Sequence, residues 1–184
     1  MVNVIIIHGS YGNPEENWFP WMKKQLEILG CKVYVPKFPT PENQSLETWL
    51  KVFEKYDKYL NDETILIGHS LGPSFILNIL ERTDKKIKAT FLVSGFTGLL
   101  NHDIDKINGT FTDRMFDWKK IKTNCSRFHV INSDNDPYVP LVKGKDLARK
   151  LGTELIILKN AGHINAAAGY TRFPMLLEMV KKEL

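Results

Sequence analysis

Short apolar runs alternate along the chain with segments in which apolar positions recur every three or four residues. The runs are "VNVIIIHG" (2–9), "CKVYVPKF" (31–38), "TILIGHS" (64–70), "IKATFLVSG" (87–95), "FHVINSD" (128–134) and "ELIILKN" (154–160). They are mostly continuous in hydrophobicity, as strands covered on both faces should be. Between them, Trp18, Trp21, Met22, Leu26 and Leu29 make a helical stripe that stops at Gly30. Leu46, Leu50, Phe53 and Leu60 make another behind an N-capping Ser45. Residues 71–82 read as a helix apolar nearly all round, 140–151 as a helix opened by Pro140 and ended before Gly152, and 172–184 as a terminal helix. This alternation predicts a three-layer α/β/α domain around a mainly parallel six-stranded sheet, with ligands beyond the carboxyl ends of the strands.

Length and composition narrow the class. The 184 residues suit one domain spanning 1–184, and the only long connection, 96–127, is where a short lid would lie. A hydrophobic fraction of 43% with 25% charged residues is that of a soluble globular protein. The net charge of +4 comes from 25 basic and 21 acidic residues scattered along the chain. No aromatic-interleaved basic stripe accompanies it, so no nucleic-acid partner is expected. Cys31 and Cys125 fit no metal or redox spacing and read as buried thiols of a reducing compartment. The N-terminus enters its first strand at once, and that run is too short to span a bilayer, so the expectation is a cytoplasmic protein without a membrane partner. Sequons at Asn43, Asn108 and Asn124 are read as coincidence in such a chain.

The chemistry gathers at strand ends. The first strand runs into "HGSYG" (8–12), the third into "GHSLG" (68–72), the fifth into "SDNDP" (133–137), and the sixth is followed by "NAGHIN" (160–165). A serine hydroxyl is a poor nucleophile until a base accepts its proton, and a histidine does this best when a carboxylate fixes its tautomer. Ser70, an acid at 134 or 136, and His163 supply those groups, and loops on one sheet edge would bring them together. Gly68 and Gly72 leave room for a strained strand-to-helix turn at Ser70. The backbone N–H groups of Leu71 and of Ser10 are the candidate oxyanion hole. His8 and His69 are assigned structural rather than catalytic roles. No phosphate-binding loop and no metal-spaced His or Cys cluster occurs, so neither metal nor cofactor is expected.

The order serine, acid, histidine on a strand-turn-helix motif is that of the α/β-hydrolase fold. More narrowly, the sequence resembles the small serine hydrolases grouped with retinoblastoma-binding protein 9 and the bacterial YdeN proteins. "HGSYGNPEENWFPWMKKQLEILG", "GHSLG", "FDWKKIKTNC", "SDNDPYVP" and "GHINAAAGYTRFP" carry the resemblance in order and spacing. It implies a compact hydrolase with minimal lid that acts on ester or amide substrates. Ser70 matches the family's nucleophile and His163 its histidine. The acid stands four residues before the proline that opens the next helix, so Pro140 selects Asp136. Asp134 could instead close the turn through its side chain.

The expected activity is hydrolysis of carboxylic esters or related acyl compounds, with an aminopeptidase, an acyl-thioesterase or a binding protein on a hydrolase scaffold as alternatives. The expected partner is a small acyl substrate. Binding to a retinoblastoma-type pocket is not expected, because "LGCKV" (29–33) ends in Val33 where that ligand motif has Glu. Phe96, Phe111, Phe116 and Tyr138 are the candidate walls of a shallow acyl pocket. Phe111, Met115 and Trp118 fall on one face if 111–118 is helical, and the competing reading is that this face packs on the sheet.

Overall fold

The computed structural model describes residues 1–184. Its six strands are β1 (Asn3–Ile7), β2 (Lys32–Tyr34), β3 (Thr64–His69), β4 (Ala89–Val93), β5 (Phe128–Ser133) and β6 (Leu155–Leu158). They form one sheet in the order β2-β1-β3-β4-β5-β6, every pair parallel. The expected strands are all present, shortened by one to five residues where runs continue into loops.

Two-sided burial explains the unbroken apolar runs. Ile5, Ile7, Leu66, Leu92 and Val130 enter one apolar cluster, while Val4, Ile6, Ile65, Ile67, Phe91, Val93 and Ile131 enter the other. Helices α1 (Phe19–Ile28) and α7 (Pro174–Lys181) cover the second cluster. The first lies under α2 (Leu46–Phe53), α3 (Gly72–Arg82), α4 (Asp105–Thr112), α5 (Trp118–Asn124) and α6 (Leu141–Leu151). Ser45 caps α2 as expected, accepting from the Thr48 N–H at 3.2 Å. No helix is long and apolar enough to cross a membrane.

The segment 96–127 departs from the expected single helical face. The chain leaves α4 at Thr112 and restarts at Trp118, where Asp117 caps α5 through the Lys120 N–H at 2.9 Å. Met115, in the connection, is 94% exposed. Phe111 and Trp118 therefore belong to different helices and share no helical stripe.

The strand order fixes where a site can form. β2 lies on one side of β1, while the chain returns on the other side to lay down β3 to β6. The crevice beyond the carboxyl ends of β1 and β3 is thus the topological switch point, where open α/β sheets bind ligands. The segments that follow these two strands carry Ser10 and Ser70.

Candidate active site

Ser70 stands between the last residue of β3 and the start of α3 with φ +60°, a left-handed conformation that a non-glycine residue rarely adopts. Its N–H donates to Val93 O at 2.9 Å, extending the β3–β4 ladder one residue beyond the strand. The bend is tight enough that a Cβ on Gly68 would lie 2.6 Å from Pro73 N, and one on Gly72 would overlap the Ile7 carbonyl. Only glycine lets α3 turn back so sharply across β1 and β3.

The loop after β1, which carries Ser10, is pressed against this bend. A Cβ on Gly9 would lie 2.6 Å from Ser70 Cβ and 3.1 Å from its Oγ. Gly9 O is held from both sides, by the Gly12 N–H at 3.2 Å and by His8 Nδ1 at 2.8 Å. His8 Nε2 accepts from the Phe38 N–H at 3.0 Å, so its hydrogen must sit on Nδ1 and point at Gly9 O. Burial lowers the His8 pKa and favours this neutral form. Because the Gly9–Ser10 peptide is planar and trans, fixing Gly9 O fixes the Ser10 N–H in the opposite direction. Neither the Ser10 nor the Leu71 N–H has an acceptor in the chain, and Leu71 is fully buried. Two free donors beside a nucleophile elbow can receive an oxyanion.

His163 is paired with Asp136, its Nδ1 lying 2.8 Å from Oδ2. The Asp136 side chain is inaccessible to solvent, and its Oδ1 accepts from the N–H groups of Tyr138 and Val139 at 2.9 and 3.0 Å. A carboxylate so placed has one oxygen saturated by backbone and the other left for the imidazole. Asp134 serves elsewhere, its Oδ1 accepting from the Asn160 N–H at 2.8 Å. It belongs to a clasp in which four consecutive residues grip four others. Ser133 Oγ holds the Ala161 N–H at 3.0 Å, Asn135 Oδ1 holds Gly162 at 2.8 Å, and Asp136 completes the set on His163.

The backbone after β6 is secured a second time, from β3 and from the residues that follow β4 and precede α1. His163 O accepts from His69 Nε2 at 2.9 Å and from Ser94 Oγ at 3.2 Å, and Ile164 O accepts from Trp18 Nε1 at 3.1 Å. Ile164 has φ +52°, an outlying conformation for a β-branched residue that these bonds sustain. His69 is enclosed by Trp18 and Phe19 as well as by the His163 ring. Burial first, and the His163 charge second, push its pKa down to about 3, so it remains a neutral donor. His69 sits beside Ser70 in the chain, so its bond to His163 O ties the serine and histidine segments together.

The expected pocket walls divide. Tyr138 is 61% exposed and stands edge-on to the His163 ring, with centroids 5.0 Å apart. Phe96 and Phe111 are sealed in the core, and Phe116 is buried beside Trp118 and Arg114. Phe111 packs against Trp49 and Phe75 at 4.9 and 6.1 Å, and water cannot reach it. Phe96 and Phe111 therefore offer no surface to a ligand, and Phe111 packs on helices α2 and α3 rather than on the sheet. Two surface clefts, of about 330 and 490 Å³, are lined by neither Ser70 nor His163.

Sequence reasoning missed the clasp, the buttress formed by His69, Ser94 and Trp18, and a polar node beneath Ser10. The clasp had a local signal in the acceptor-rich run "SDND". The buttress had none, because its members are scattered along the chain.

An open parallel sheet with a serine elbow at its switch point and a His-Asp pair on the same edge defines an α/β hydrolase. The chain belongs to the serine hydrolase family, whose profile matches residues 4–182. It is 34% identical over 179 residues to the putative hydrolase YdeN of Bacillus subtilis (strain 168), covering 96% of this chain and 93% of that one. To serine hydrolase RBBP9 of Rattus norvegicus it is 29% identical over 183 residues, covering 98% and 94%. The crystal structure of the B. subtilis ydeN product superposes with a TM-score of 0.93 at 32% identity, covering 100% of this chain and 98% of that one. Est1E of Butyrivibrio proteoclasticus shares the fold, with a TM-score of 0.72 at 17% identity over 98% of this chain and 86% of its own.

Proposed function

We propose that this hydrolase cleaves carboxylic esters of short acyl groups through an acyl-enzyme on Ser70, with His163 as the base and Asp136 as its carboxylate partner. The observation that carries the reading is the Asp136–His163 pair at 2.8 Å, on a segment tied by the His163 carbonyl to His69, the residue before the strained Ser70. The Asp136 carboxylate only accepts, so Nδ1 holds the imidazole hydrogen and Nε2 is the free base. Nε2 takes the Ser70 proton as Oγ attacks the acyl carbon, and Asp136 stabilises the imidazolium that results. The N–H groups of Ser10 and Leu71 receive the charge developing on the carbonyl oxygen. His163 then protonates the leaving alcohol, and water drawn to the same nitrogen releases the acid.

The preference for short acyl groups is supported by the enclosure of Phe96 and Phe111, with Tyr138, 61% exposed, as the large side chain against the His163 ring. Buried in the core, the two phenylalanines cannot reward added methylenes at the usual ~0.8 kcal/mol each. A small-molecule acyl substrate is the reading this supports.

The test is incubation with a fluorophosphonate followed by peptide mapping, alongside turnover of nitrophenyl esters of increasing acyl length and of matching anilides and thioesters. Modification of Ser70 alone, with kcat/KM greatest for short esters, is expected. A folded sample that is labelled at no serine and turns over no substrate would make the chain a binding protein on a hydrolase scaffold. Preference for anilides or thioesters would move the activity to the aminopeptidase or thioesterase class.

A further inference from the structure

We propose that Gln44 and Asn108 are positioning residues of the oxyanion hole, acting through the Ser10 hydroxyl to hold the loop that presents the Ser10 N–H. The inference rests on the reading of Ser10 as an oxyanion donor.

Two backbone anchors fix the orientation of the Gln44 amide at the centre of the node. The Tyr11 N–H can only donate, and Thr40 Oγ1 accepts it at 2.6 Å. Thr40 must therefore give its own hydrogen to Gln44 Oε1, at 2.5 Å. Ile107 O can only accept, which identifies its partner as Gln44 Nε2, at 3.2 Å. With one amide hydrogen on Ile107 O, the second is shared between Asn108 Oδ1 at 2.8 Å and Ser10 Oγ at 3.0 Å. Asn108 Oδ1, facing that amide nitrogen, can only accept, so the Ser10 hydroxyl donates to it at 2.5 Å. Gln44 and Asn108 are buried, 8% and 1% exposed, so water does not compete for these bonds.

The consequence for Ser10 is geometric. On its N-terminal side the Gly9–Ser10 peptide is held by His8 and Gly12. On its C-terminal side the Ser10–Tyr11 peptide is held by Thr40, and between them the side chain is held by Gln44 and Asn108. With both peptide planes and χ1 tied down, the free N–H has one direction, which is the preorganisation that oxyanion stabilisation requires. Asn108 lies on α4, in the segment that stands where a lid would be, so this helix acts as a strut for the oxyanion loop.

The experiment compares wild type with Ser10→Ala, Asn108→Ala, the double variant and Ser10→Thr. It measures ester kcat and KM, inhibition by an alkyl boronic acid as transition-state analogue, and phosphonate labelling. Ser10→Ala keeps the backbone N–H and removes the hub of the node. Expected is a roughly 10- to 100-fold fall in kcat with little change in KM, and a parallel loss of boronate affinity, for either single variant. The double variant should be no worse than the poorer single one, and Ser10→Thr, which keeps the hydroxyl, should recover most of the activity. Wild-type kcat and boronate affinity in Ser10→Ala would overturn the inference even if Asn108→Ala failed to fold, as would multiplicative losses in the double variant. Failure of wild type to label at Ser70 would overturn the underlying hydrolytic reading, and the inference with it.

Discussion

Gly9 is pressed directly against Ser70, and Gly9→Ala probes that contact. The added methyl would stand 2.6 Å from Ser70 Cβ, whereas non-bonded carbons rest about 3.5–4.0 Å apart, so the two backbones must separate by about 1 Å. Neither side yields freely. Ser70 is hydrogen-bonded to Val93 O, and Gly9 O is gripped by His8 and Gly12. A displacement of about 1 Å between reacting groups can cost roughly 10²-fold, and loss of one oxyanion donor about 10²- to 10³-fold. The variant should therefore lose about 10²- to 10³-fold in ester kcat while losing only about 1–3 kcal/mol of stability to overpacking. Steady-state turnover of a nitrophenyl ester, the phosphonate inactivation rate and thermal unfolding measure the three quantities. Gly109→Ala in α4 is the control, since a Cβ there meets nothing within 4 Å. It should keep wild-type turnover and gain up to about 1 kcal/mol of stability. A folded Gly9→Ala with wild-type turnover and inactivation rate would refute the packing of oxyanion loop on nucleophile as a catalytic constraint.

Asp136→Asn should lower kcat by about 10⁴-fold through the wrong imidazole tautomer, whereas Asp134→Asn should cost about 1 kcal/mol of stability and leave most of the activity; the reverse pattern in paired kinetics and melting would reassign the acid. Phe111→Ala should destabilise by about 3–5 kcal/mol in denaturant titration without shifting the preferred acyl length, because Phe111 is core; a shifted preference in a stable variant would return it to the pocket. His69, neutral when folded with a pKa near 3, gains its proton near 6.5 once unfolded, so its contribution is complete above pH 6.5 and is lost as pH falls toward 3. Melting curves should show stability falling by about 1.4 kcal/mol per pH unit across that window from this residue, and His69→Gln should flatten the slope; an unchanged slope would contradict the buried neutral assignment.

The sequence by itself determined the layers and the chemical inventory. Continuous runs such as "NVIII" could be satisfied only by strands covered on both faces, and the glycines of "GHSLG" fit only a turn with no space for side chains. These properties are local, written in periodicity and residue size within a few positions, and the structure reproduces them. Tertiary structure decided what depends on distance through space. Asp134 and Asp136 are the same residue type separated by one position; the resemblance selected Asp136 through its spacing to Pro140, but only the folded loop shows one on Asn160 and the other on His163. Phe111 looked equally suited to a pocket wall and to the core until α4 was set against Trp49 and Phe75. The bonds that hold His163 O and the Ser10 hydroxyl join residues up to 98 positions apart. No short-range pattern encodes such bonds, because a hydrogen-bond partner is selected by where the chain has carried it and not by what stands beside it in the sequence.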